Sequence, residues 1–93
     1  MSRTDAVIKD IAEERKRQIR VEKYTSDYDD AHNSNGELAE AAAAYALWAA
    51  NELTAARAFW PWRANTFKPK DRYSDLKRAA AMLVAEMERI KDE

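Results

Sequence analysis

Apolar residues recur at helical spacing in three stretches of the chain, separated by a polar bend and an aromatic connector. In the first stretch, from about Thr4 to Glu22, Val7, Ile8, Ile11, Ala12 and Ile19 alternate with charges. Arg15, Lys16, Arg17 and Arg20 crowd its second half, where cations suit the negative end of a helix dipole and can stay solvated. The second stretch opens with Ser34 and Glu37 spaced as a capping box around Asn35 and Gly36, and runs to about Arg57. On it Leu38, Ala42, Tyr45, Ala49 and Leu53 form one face, while Ala41, Ala44 and Trp48 form another beside Glu37 and Glu40. The third begins near Ser74, a cap with Asp75 in the first turn, and places Leu76, Ala79, Ala80, Leu83, Val84, Met87 and Ile90 on one unbroken stripe. That stripe is the pattern of core or coiled-coil-like packing and carries no chemistry of its own.

Between Phe59 and Tyr73 the period is lost. Pro61 and Pro69 bias Trp60 and Lys68 toward extended backbone, and the aromatic content argues for an ordered connector packed by its own side chains. The expectation is one all-α domain over residues 1–93: three helices, the last two forming a long antiparallel hairpin across this extended connector. A helix that is small and apolar nearly all round is buried on more than one side. Three helices hardly surround it, so a homo-oligomer closed through the Ala-rich helix is expected.

Composition narrows the function classes. Ninety-three residues bury roughly 60–65% of their extended surface and support only a marginal core. There is no cysteine to staple it with disulfide or zinc thiolate, which leaves tight helix packing or association. A net charge of -1, from 16 basic and 17 acidic residues, argues against general nucleic-acid binding, though it permits a local basic pocket. No apolar run reaches the roughly 18–20 residues of a membrane span, and the first residues carry no signal-peptide core, so a cytoplasmic protein is expected.

Two constellations could carry chemistry. The bend between the first two helices holds Tyr24, Asp27, Asp29, Asp30 and the lone His32, followed by Glu37 and Glu40 three residues apart on a helix face. Carboxylates with an imidazole can hold Mg²⁺ or Mn²⁺. They can equally serve a helix N-terminus, with Glu37 in the capping box and His32 bonding the turn. The connector sets Trp60, Trp62 and Phe67 beside Arg63, Lys68, Lys70 and Arg72. Flat rings next to cations suit a ligand with a base and a phosphate, the rings stacking and the cations meeting the anion. The structural reading is that the tryptophans roof a small core while the cations stay wet. A phosphate-binding glycine loop, a cysteine nucleophile and an ordered Ser/His/Asp set are all missing from the sequence.

Glu14-Arg15-Lys16-Arg17-Gln18, Tyr24-Thr25, Asp29-Asp30-Ala31-His32, Gly36-Glu37-Leu38-Ala39, Trp60-Pro61-Trp62, Phe67-Lys68-Pro69 and Asp75-Leu76 together resemble a family of small uncharacterised phage and prophage proteins. This chain departs from that pattern with Lys23 in place of a glycine and Tyr28 in place of a histidine. More locally, Gly36-Glu37-Leu38-Ala39-Glu40-Ala41 is similar to the all-α nucleoside triphosphate pyrophosphohydrolases of the MazG type, which hold Mg²⁺ with an E-E-x-x-E helix and an E-x-x-D helix. Glu37 and Glu40 match half of the first motif, and Asp75 and Glu86 do not make the second.

The leading expectation is a phage accessory protein of the host cytoplasm that binds a nucleotide-like ligand and sequesters a host immune signal, with no cofactor. Its expected contacts are Trp60, Trp62, Lys68, Lys70, Arg72, Tyr24, Asp29, Asp30, His32 and Glu37. The alternatives are a minimal Mg²⁺-dependent pyrophosphohydrolase and a protein-binding inhibitor of a host defence complex.

Overall fold

A computed structural model describes residues 1–22, 25, 28 and 31–91 of the chain. Helix α1 spans Arg3–Arg17 and begins in a capping box: the Ser2 hydroxyl accepts the Asp5 N–H at 3.0 Å, and the Asp5 carboxylate takes the Ser2 N–H at 3.4 Å. It continues as a π-helical turn, Gln18–Glu22, so the expected first helix is present with its last turn widened. Arg15, expected to be solvated, is buried and bonds Glu88 at 2.6 Å, while Arg17 forks onto Glu14 at 2.7 and 2.9 Å. Arg15 thus joins α1 to the last helix of the fold, Arg17 bonds within α1, and Lys16 and Arg20 stay exposed as expected.

Helix α2, Glu37–Ala49, starts later than the capping box would place it. Gly36 stands before it in the left-handed region (φ 88°), and no side chain caps the helix. The Ser34–Glu37 box therefore does not form; the Glu37 carboxylate instead takes the Asn35 N–H at 2.8 Å. A left-handed glycine lets the chain turn into the helix without a side-chain acceptor.

The single helix expected as far as Arg57 is broken in two, α2 and α3, Leu53–Phe59. Asn51 takes φ 65°, its N–H bonds the Trp48 carbonyl at 2.9 Å, and the Glu52 N–H reaches the Leu47 carbonyl at 2.9 Å. This is the paired bonding of a Schellman stop, in which asparagine can stand in for glycine.

After a 3₁₀ turn at Ala64–Thr66, helix α4 runs over Arg72–Lys91. Its cap is Asp71, not Ser74: Ser74 donates its N–H (3.0 Å) and its hydroxyl (2.6 Å) to the Asp71 carboxylate. A carboxylate at the positive helix end is the stronger acceptor, and these bonds hold the Asp71 carboxyl below its ordinary range. Fully buried Asp75 accepts the Lys70 N–H at 2.8 Å and so anchors the end of the connector to α4.

The most extensive packing is α2 on α4. Ala41, Ala42 and Tyr45 meet Ala79 and Met82, and Trp60, Trp62 and Phe67 close over them. The described residues are all helix, turn or irregular, without a strand. Ala41, Ala42 and Ala44, the surface on which an α2 oligomer contact was expected, are buried inside one chain. Small side chains let α2 and α4 approach closely, and the connector covers what remains.

Leu38, Gln18 and Asp75 are the largest fully buried side chains, so two of the three are polar. The apolar centre is made of alanines under an aromatic roof. That roof is tied down: Trp60 Nε1–H donates to the Arg63 carbonyl (3.0 Å) and to Thr66 Oγ1 (3.1 Å), and the Thr66 hydroxyl donates to the same carbonyl at 2.6 Å. Edge-on contacts of Trp60 with Tyr45 (5.4 Å) and Trp62 (5.0 Å) suit ring quadrupoles, at about 0.5–1.5 kcal/mol per pair.

Candidate functional site

Five separate parts of the chain send residues to one cleft of about 260 Å³. The π-helical turn supplies Glu22, the bend Tyr28 and Asn33, and α2 supplies Tyr45; the connector adds Trp60, Trp62 and Thr66, and α4 adds Arg78 and Met82. A π-turn bonds five residues apart rather than four, which rotates the end of the helix and carries Glu22 to the cleft. The volume is just below the roughly 300–1,000 Å³ of common ligand pockets, enough for one flat ring system with a small polar appendage.

Arg78 is the hub of the cleft. Its Nη1 donates to the Tyr45 hydroxyl (3.1 Å) and to the Lys68 carbonyl (2.8 Å), and its guanidinium lies 4.9 Å from the centre of the Tyr45 ring. Its Nε and Nη2 carry N–H groups beyond these bonds, and a planar guanidinium offers them as a fork to an oxyanion.

Behind it lies a buried polar layer. Gln18 Nε2 donates to Glu14 (3.3 Å) and to the Arg78 carbonyl (3.5 Å). Burial pushes the Glu14 carboxyl up, but the Arg17 fork and the charges of Arg17, Arg78 and Lys77 outweigh that and leave it below its ordinary value. Gln18 Oε1 has no hydrogen-bond partner, an exception in a folded interior.

The structure gathers part of the expected site. Trp60 and Trp62 line the cleft. Lys68, Lys70 and Arg72 do not line it, and all three are exposed. Lys68 contributes its carbonyl to Arg78 and Lys70 its N–H to Asp75, so the connector works through its backbone where cationic side chains were expected.

His32 is exposed beside the cleft, stacked on Tyr28 with ring centres 4.2 Å apart. Its Nδ1 lies 3.0 Å from the Tyr28 carbonyl, which can only accept, so that nitrogen carries the proton. Glu37 is occupied by its turn. Tyr24, Asp29 and Asp30, with Asp27, lie outside the described residues.

Among the described residues no three of His, Asp and Glu come together as a metal site. Asp75 is buried on the Lys70 N–H, and Glu86 is held by Arg89 at 2.8 and 3.3 Å. The α4 acids of the MazG-like pattern are therefore bonded within the chain and do not fit a Mg²⁺ site.

Sequence reasoning missed Arg78, Tyr45, Asn33 and Glu22. Tyr45 had a signal, as the only hydroxyl-bearing ring in an alanine-rich helix. Arg78 had none, being one of several cations on the polar side of its helix. No family model, characterised protein or solved structure matches the chain.

Proposed function

We propose that this chain binds a nucleotide-like ligand in the Trp60–Trp62–Arg78 cleft and sequesters it, as an accessory protein of a phage acting against a host immune signal. The observation that supports the reading is the juxtaposition of aromatic walls with one buttressed guanidinium. Half-buried Trp60 and Trp62, with exposed Tyr28, offer ring surface to a base, and Arg78, held on the buried Tyr45, offers two unspent donor nitrogens to a phosphate. Stacking of a base is worth roughly 1–3 kcal/mol, and a charge-assisted fork adds orientation. Exposed Glu22 supplies a polar edge that would discriminate among bases.

Host cytoplasm, the antiparallel arrangement of the two long helices and an oligomeric assembly belong to the same proposal. No helix of the described residues is long and apolar enough to cross a membrane. The pyrophosphohydrolase alternative finds less support, because the acids it needs on α4 are already bonded.

The test is mass spectrometry of the small molecule released on denaturation from protein expressed in cells making signalling nucleotides. Titration of tryptophan fluorescence with that molecule then follows. Intact release, with quenching that needs no added metal, is expected. A hydrolysed product, or no quenching by any mono-, di- or cyclic nucleotide up to about 1 mM, refutes the reading.

A further inference from the structure

We infer that the outer seam of α4, formed by Leu76, Ala80, Leu83, Met87 and Ile90, is the interface for a second copy of this chain. Helix α4 is inside out for a surface helix. It buries Ala79, Ala81, Ala85 and Met82, and leaves Leu76 46%, Leu83 47%, Met87 68% and Ile90 52% exposed. An amphipathic helix with one partner turns its largest apolar groups inward. Here α2 packs on Ala79 and Met82 and α1 takes a neighbouring side, and the large residues form a further face.

That further face has the geometry of a helix partner. Its residues are spaced 4, 3, 4 and 3 apart, the a/d alternation of a two-stranded seam, over two heptads and about 21 Å. The seam itself carries no charge; Lys77, Glu88 and Lys91 flank it. At its N-terminal end it meets an apolar hollow of about 180 Å³ lined by Val7, Ile11, Tyr73, Leu76 and Lys77; at its C-terminal end Val84, Met87 and Ile90 form an open apolar surface.

The area points to a copy of the same chain. Val7, Leu76, Leu83, Met87 and Ile90, 38–68% exposed, leave on the order of 450 Å² of largely apolar surface, near the roughly 65% apolar share of the roughly 800 Å² each partner buries in a standard homodimer. A two-fold interface is made from one self-complementary patch, and a heptad seam matches itself. A 93-residue chain whose core is largely alanine gains from such a contact the support that its own packing lacks. The inference rests on the oligomeric assembly proposed above and not on what the cleft binds, which the nucleotide titrations test separately.

Sedimentation of the full chain tests it. The expected species is a dimer, twice the 10.7 kDa of one chain. Leu83→Glu and Met87→Lys should each raise the dissociation constant about 30-fold or more while helical circular dichroism is kept, since both residues are already exposed within one chain. Ala46→Glu, on the exposed side of α2, should leave the dimer intact and so separates this face from the Ala-rich helix. Because the chain has no cysteine, Leu83→Cys, at the middle of the seam, should give a disulfide-linked dimer on mild oxidation even if the charged variants fold poorly. A wild-type monomer at about 100 μM, a monomer that engages a different protein through this face, or dissociation by Ala46→Glu but not by the α4 changes overturns the inference.

Discussion

Replacing Arg78 by alanine should weaken both the fold and the cleft, and by amounts that can be told apart. The guanidinium makes two bonds, to the Tyr45 hydroxyl and the Lys68 carbonyl, and lies over the Tyr45 ring. Bonds to a charged donor contribute about 1.5–3 kcal/mol each when buried. Arg78 is only half-buried and Lys68 is exposed, so solvent replaces part of this, and about 2 kcal/mol for the pair is the reasonable value. The cation–ring contact adds about 0.5–1 kcal/mol. A total of about 2–3 kcal/mol stands against roughly 5–14 kcal/mol for a chain of this length. At about 4–8 °C per kcal/mol for a small domain, the melting temperature should fall by about 10–20 °C. Arg78→Lys keeps the charge but not the fork and should recover about half of that loss. Lys70→Ala removes an exposed side chain whose backbone does the work, and should leave melting nearly unchanged. In nucleotide titrations followed by tryptophan fluorescence, Arg78→Ala should cost a further ~30-fold in affinity, measured well below its own melting temperature. A melting temperature within about 2 °C of wild type would show that the hub is not made in solution. A large melting shift with unchanged affinity would make Arg78 purely structural and refute the anion role of the cleft.

The buried polar layer and the helix break give two further expectations. Glu14 has a lowered pKa in the folded chain, so it contributes stability above its unfolded value of 4.5 that is lost as pH falls through the folded value. Stability followed by circular dichroism should therefore drop steeply in the acid range below 4.5, and Glu14→Gln should flatten that part of the profile; an unchanged slope refutes the pairing with Arg17. Asn51, at φ 65°, should tolerate glycine but not alanine, which costs about 1 kcal/mol in the left-handed region. Equal melting temperatures for Asn51→Ala and Asn51→Gly would show that α2 does not stop there.

Much of the helical content follows from composition and period alone. Helix α4 and the irregular aromatic connector before it are local patterns, set by spacing and proline, and both stand where the sequence places them, although most large residues of the expected α4 packing stripe are exposed. Helix ends were less legible, because competing caps lie within a few residues: Asp71 outbids Ser74, and Gly36 removes the need for the Ser34–Glu37 box.

Tertiary structure alone decided which apolar face of each helix is inside. The sequence shows alanines and large residues both at helical spacing on α4, and only the approach of α2 and α1 selects alanine for the interior and leaves Leu83 and Met87 outside. The cleft, likewise, is built from residues between Glu22 and Met82 that no local pattern connects. Arg78 acquires its place there because Tyr45 and the Lys68 carbonyl arrive from other elements and hold it. Periodicity records how a helix can pack; which packing is used is fixed by the shape of the partner.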